Sequence, residues 1–146
     1  MSNRIRINKA DPDAYNAILP LESYISKSRI DPMHIELIKI RASQINGCAY
    51  CIDKHTKDAR KKGETEQRIY ALTAWRDTPF FSEEERAILA LTEEITLISG
   101  RVSEATYEQA AKLFDEQLLA QLIMAIISIN SLNRIGVATE MMPGLG

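Results

Sequence analysis

Both cysteines of this chain and one of its two histidines fall within one ten-residue stretch, Asn46-Gly47-Cys48-Ala49-Tyr50-Cys51-Ile52-Asp53-Lys54-His55. Asn46-Gly47 is a turn signal, so a helix is expected to start at or just after Gly47. On that helix Cys48 and Cys51 are i,i+3 neighbours and His55 lies i+4 from Cys51, which puts all three on one face. Side chains three apart approach within roughly 5–6 Å at Cβ, and a small adjustment brings the two sulfurs into disulfide range. Thiols near a helix N-terminus feel unpaired backbone N–H groups and the positive dipole end, which favour thiolate. The spacing thus supplies two thiols able to pair, a source of acidity, and a base one turn away. Three readings compete: a redox dithiol, a zinc site built from Cys48, Cys51 and His55, and two cysteines packed as small apolar groups. The zinc reading lacks a fourth ligand, since no second CxxC or HxxxH occurs. The packing reading must explain why the only two cysteines stand three apart with a histidine on the same face. The redox dithiol is favoured.

The elements that must position these groups can be read from caps and periodicity. Arg4-Ile5-Arg6-Ile7 alternates and reads as extended. Asp11-Pro12 is a helix start, and Pro20 should kink or divide the segment from Pro12 to about Ser28. Asp31-Pro32 repeats the start signal, with Ile35, Ile38, Ala42 and Ile45 at helical spacing. Pro32–Asn46 and Cys48–Lys62 then form consecutive helices across a tight turn, which favours antiparallel neighbours. Such a hairpin faces the early part of one helix, with Glu36, toward the late part of the next, with His55, but the azimuth of Glu36 does not follow from the sequence, and the residues alone favour a solvated first-turn carboxylate there. Arg60-Lys61-Lys62 followed by Gly63 complements a helix C-terminus. A further helix is expected from about Thr65 to Trp75. Ser82-Glu83-Glu84-Glu85 is a capping box whose helix should run to Gly100. Ser103 caps a helix to about Phe114, and Asp115 starts the last long one. Leu118 to Ile129 is apolar nearly all round, so it should be central to the fold or to a subunit interface. Asn130, Asn133 and Arg134 break that pattern and are expected to satisfy helix ends rather than to serve a site. Met141 to Gly146 reads as a loose tail.

The bounds set by composition agree with this reading. A length of 146 residues suits a single domain, 1–146, with a substantial core. Apolar residues make up 45% and charged residues 26%, as in soluble globular proteins. A net charge of −2 gives no general pull toward nucleic acid. The basic Ser2–Ala10 segment is followed by no long apolar stretch, so no secretory signal is expected. The Leu118–Ile129 run is short of the roughly 20 residues of a membrane span. Two cysteines do not make a disulfide scaffold. A cytoplasmic location is expected, where a dithiol is cycled rather than kept as a permanent staple. The absence of strand-rich stretches and repeats predicts an all-α fold.

Glu36, the Cys48-Ala49-Tyr50-Cys51 motif and His55 together resemble the carboxymuconolactone decarboxylase / alkylhydroperoxidase D (AhpD-like) superfamily, in particular its small single-domain members. The likeness is densest in Arg41-Ala42-Ser43-Gln44-Ile45-Asn46-Gly47-Cys48-Ala49-Tyr50-Cys51. It continues through Lys57–Glu64 and Ala74-Trp75-Arg76 and returns at Ile129–Arg134. The resemblance implies a helical bundle of about six to seven helices with the CxxC on a central hairpin. It also implies a homo-oligomer (trimer or hexamer) and thiol-dependent peroxidase activity. By the same match Cys51 is the peroxidatic thiol, Cys48 the resolving one, and Glu36 with His55 the proton relay. Tyr50 departs from the histidine found before the second cysteine in the well-studied hydroperoxidase. Tyrosine is a poor base near neutral pH.

The expected chemistry needs neither metal nor flavin, only a hydroperoxide and an external thiol or dithiol reductant. From the residues alone, Cys48 has the stronger claim to the helix dipole and Cys51 the stronger claim to His55. Two alternatives stand beside the peroxidase: lactone decarboxylation, which makes no demand for a CxxC pair, and a redox-sensing helical assembly subunit that does not turn over.

Overall fold

The computed structural model describes residues 2–145, all helical or irregular, with no strand among them. The elements are α1 (Ile7–Ala10), α2 (Pro12–Asn16), α3 (Leu19–Ser26), α4 (Pro32–Asn46), α5 (Ala49–Lys61), α6 (Glu66–Ala71), α7 (Glu83–Thr96), α8 (Glu104–Leu113) and α9 (Glu116–Ala138). Two 3-10 segments, Leu72–Asp77 and Ile98–Gly100, follow α6 and α7. The all-α expectation therefore holds, with an N-terminal region divided into short pieces.

Most boundaries follow from local chemistry. Asp11, Asp31, Ser82, Ser103 and Asp115 each accept a backbone N–H of the first turn they precede. Ser82 and Glu85 form the reciprocal capping box. Pro20 sits in the first turn of α3, where its missing N–H is harmless, so it separates α2 from α3 instead of kinking one helix. Three of the expected elements differ. Ile7 opens a short helix, not an extended strand. The helix expected to reach Trp75 turns 3-10 at Leu72, with Ala74 outside helical geometry. The α7 helix stops at Thr96, short of Gly100.

Helix α4 organises the interior. At 3.6 residues per turn its side chains fall into three sectors. Ile35, Ile38 and Ala42 join one apolar cluster with Ile88 and Leu91 of α7 and Leu122, Ile126 and Ile129 of α9. Leu37 and Ile40 join a second cluster with Ala59 of α5, Ile69, Leu72, Trp75 and Leu89. The third sector, Glu36, Lys39 and Ser43, is polar yet largely covered. A helix buried on two apolar faces cannot leave its remaining stripe to bulk solvent, so these polar groups must find partners in α5, α9 and α3.

Helix α9 is longer than the apolar run suggests. It continues through Asn130, Asn133 and Arg134 to Ala138, so these residues do not sit at a helix end. By length and composition alone it could cross a membrane, but half of its most apolar window is buried here. Leu122, Ile126 and Ile129 of that window are at most 1% exposed and pack in the core.

Candidate functional site: a disulfide at a helix N-terminus beside a buried histidine and glutamate

The turn that presents the cysteines is built by Gly47 and held by asparagines. Gly47 adopts φ 67°, left-handed geometry that L side chains resist, and closes α4. The Cys48 N–H donates to the Ser43 carbonyl at 3.0 Å. Asn46 Nδ2 donates to the side-chain oxygens of Asn130 (2.9 Å) and Asn133 (3.0 Å). Asn133 Nδ2 donates in turn to Ser43 Oγ at 2.9 Å, and Asn130 Nδ2 donates to Thr96 Oγ1 at 3.1 Å. These asparagines, expected to serve helix ends, instead tie α9 to the end of α4, two residues before the CxxC.

Cys48 is the N-cap of α5 and Cys51 the third residue of its first turn. Both sulfurs therefore lie at the positive end of that helix, so the dipole does not single out Cys48 as the sequence suggested. The two cysteines are joined in a disulfide, with Cα atoms 5.3 Å apart. Both cysteines are buried, Cys48 at 1% exposure and Cys51 at 5%, and Cys51 lines a cleft of about 230 Å³. Tyr50, His55, Lys39 and Glu22 share that cleft with Leu132, Ile135 and Met141. The expected loose tail is thus anchored at its start, where the Met141 N–H donates to the Gly136 carbonyl at 2.9 Å. Gly146 lies outside the described residues.

The antiparallel hairpin does bring Glu36 to His55. Glu36 Oε2 approaches His55 Nδ1 at 3.3 Å, and both side chains are buried. These two buried polar atoms face each other without a formed hydrogen bond. Glu36 Oε1 accepts from Lys62 Nζ at 2.7 Å. Burial alone would raise the Glu36 pKa; His55 and Lys62 outweigh it and hold the carboxyl at about 2. Glu36 is therefore an ionised carboxylate backing a histidine. With Nδ1 turned toward it, Nε2 is the nitrogen left for proton exchange.

Two members of this group escaped the sequence reading. Lys62, assigned to the helix C-terminus, is the Glu36 counter-ion. Asp58 Oδ2 stands 3.9 Å from His55 Nδ1 and accepts from Lys54. The signal was present: Cys51, His55, Asp58 and Lys62 follow a 4-3-4 spacing and occupy one stripe of α5. A second pair, Lys39 with Glu22 at 2.9 Å, lines the cleft from α4 and α3, and the buried Ser128 of α9 donates to the same carboxylate. Only tertiary structure brings Glu22 there.

The zinc reading finds little in this geometry. Both cysteines are engaged with each other. Glu36, His55 and Asp58 offer donor atoms within 4.8 Å of one another, but Lys62 and Lys54 already neutralise the two carboxylates.

Residues 12–94 match the model of the carboxymuconolactone decarboxylase family. The uncharacterised protein YdfG of Bacillus subtilis is 48% identical over 139 residues, covering 94% of this chain and 95% of that one. A crystal structure of a protein of unknown function from Agrobacterium tumefaciens, described as a candidate antioxidant defence protein AhpD, superposes over 100% of both chains. Its TM-score is 0.96 at 35% identity. The alkyl hydroperoxide reductase AhpD of Solibacter usitatus is 38% identical over 47 residues, 32% of this chain and 27% of that protein.

Proposed function

The chain belongs to the carboxymuconolactone decarboxylase family, and on that premise we propose that it is a thiol-dependent peroxidase acting on small organic hydroperoxides. The observation that carries this reading is the asymmetry of the pair: of the two buried cysteines, Cys51 lines the cleft, one turn from a carboxylate-backed His55, and Cys48 does not.

His55 takes the Cys51 proton. The thiolate attacks the O–O bond, a new S–O bond forms, and the departing alkoxide leaves as alcohol with a proton from the Cys48 thiol or His55. The product on the enzyme is a Cys51 sulfenic acid. Cys48 displaces its hydroxyl as water and closes the disulfide present in this structure. Two thiols of an external reductant reopen it by exchange, becoming a disulfide themselves and returning two protons. Neither metal nor flavin takes part. The likeness to AhpD from Solibacter covers too little of either chain to carry substrate or reductant across.

The same reading extends to assembly and location. The apolar groove lined by Ile95, Ile98, Val102, Ile123 and Ile127, with Ile98 56% exposed, supports a homo-oligomer. A pair reopened by external thiols suits the cytoplasm. We propose no nucleic-acid or membrane partner.

The deciding experiment incubates the purified protein with small alkyl hydroperoxides and excess thiol or dithiol. Repeated turnover supports the enzyme. Consumption of a single equivalent favours a redox sensor, and no consumption with any reductant overturns the proposal.

A further inference from the structure

We propose that Gly136 of α9 is a positioning residue that allows the Cys48–Cys51 disulfide to close; the inference rests on the redox reading of that pair. A β-carbon at position 136 would stand 2.6 Å from Cys48 Sγ and 3.7 Å from Cys51 Sγ. Non-bonded heavy atoms normally meet at about 3.5–4.0 Å, so the nearer sulfur occupies the space a side chain would need. The backbone does not explain this glycine. Among the described glycines only Gly47 and Gly63 have positive φ, and Gly136 lies inside a helix that continues to Ala138. Alanine is the better residue for helix propensity there. The neighbour that excludes it is a sulfur.

The collision depends on redox state. In the disulfide, Cys48 Sγ is bonded to Cys51, and the Cys48 backbone is held on both sides: its N–H donates to Ser43 and its carbonyl accepts from Ile52. The sulfur cannot retreat without moving its partner. Helix α9 cannot back away freely either. Asn133, one turn before Gly136, is locked to Ser43 and to Asn46. In the dithiol the S–S bond is gone and the sulfurs must separate. Cys51 has the cleft to move into, and Cys48 becomes the free end of a one-rotor side chain. A β-carbon at 136 therefore penalises the oxidised form far more than the reduced one. Glycine removes that penalty and favours the disulfide that ends the oxidative half of the proposed cycle.

The test uses Gly136→Ala in the full chain, equilibrated in dithiothreitol redox buffers, with the disulfide fraction read by thiol alkylation. Closing the disulfide releases two electrons and two protons, taken up as dithiothreitol is regenerated from its oxidised form. The expected result is a shift of at least tenfold toward the dithiol, a reduction potential about 30 mV less negative for a two-electron couple. The oxidised variant should melt lower than the parent, while the reduced variant should melt at the same temperature or higher. In a Cys48→Ala background the substitution should no longer destabilise. An unshifted equilibrium overturns the inference, as do equal losses in both redox states and in the Cys48→Ala background; Gly136 is then ordinary packing. A variant that folds only when reduced supports it. A parent disulfide that does not exchange with dithiothreitol overturns the redox reading as well.

Discussion

Cys48 and Cys51 are chemically identical side chains three residues apart, and their proposed roles differ only through surroundings. Cys51→Ser should abolish hydroperoxide consumption, because a hydroxyl is not appreciably ionised near neutral pH. Cys48→Ser should react once and leave a Cys51 sulfenic acid that dimedone traps, detected by mass spectrometry. A sulfenic acid found on Cys48 in Cys51→Ser, with none on Cys51 in Cys48→Ser, would reverse the assignment. Glu36→Gln and His55→Ala should keep both thiols and lose roughly 10²–10⁴-fold in rate. Stopped-flow rates should show that deficit narrowing as pH rises toward ~8.5, where an unassisted thiol ionises by itself. Glu36 also makes a stability prediction. Its folded pKa of about 2 lies below the ordinary 4.5, so the ionised form is favoured by folding. That stability is fully present above pH ~4.5 and is lost as pH falls toward 2. The shift corresponds to at most about 3 kcal/mol, reduced by solvent screening because Lys62 is 43% exposed. Urea unfolding of Glu36→Gln should show a shallower loss over that pH range than the parent.

At the scale of elements, the hairpin of α4 and α5 aligns the chemistry and α9 clamps it. Asn133 is fully buried and makes hydrogen bonds through both its oxygen and its nitrogen. Asn133→Ala leaves the Asn46 amide and the Ser43 hydroxyl each one partner short. A buried polar group that loses its partner costs about 1–3 kcal/mol. The expected outcome is a fall in unfolding free energy of that order, with an unchanged denaturant slope. Disulfide closure should also slow, because the turn carrying Cys48 is no longer held against α9. A variant of parent stability with slower closure would assign the asparagines to positioning alone.

For the molecule as a whole, the covered face of α9 explains only part of its apolar character. Met124, Ile127 and Val137 are exposed on the same helix whose Leu122, Ile126 and Ile129 form the core. Leu97, Ile98 and Tyr107 add to the exposed apolar surface. Surface of this kind is expected to meet a partner. Sedimentation at micromolar concentration should show a homo-oligomer, and Ile127→Glu should shift it toward monomer without unfolding it. A stable monomeric parent would count against the proposed assembly.

What the residues determined by themselves was local chemistry. The caps at Asp31, Ser82, Ser103 and Asp115, the stop at Gly47, the α4–α5 hairpin and the cysteine face of α5 all arise from interactions within one turn or between adjacent helices; the pairing of Glu36 with His55 was implied only by the family resemblance until the structure placed the two side chains 3.3 Å apart. Short-range rules read them. The helical period also contained Asp58 and Lys62, since both share the Cys51–His55 stripe. The rest depended on chain segments far apart in sequence. Nothing local distinguishes Asn130 and Asn133 from helix-end residues, because the partners that tie them to other elements, Thr96, Asn46 and Ser43, lie more than thirty residues away. Glu22 reaches the cleft only because α3 packs on α9. That Cys51 borders the cleft beside Leu132 and Ile135 of α9, while Cys48 lies against Gly136 of the same helix, is a matter of packing. Gly136 reads as a weak point in a helix until Cys48 Sγ is placed against it. Periodicity reports which side of a helix is covered; only the packed structure decides what covers it.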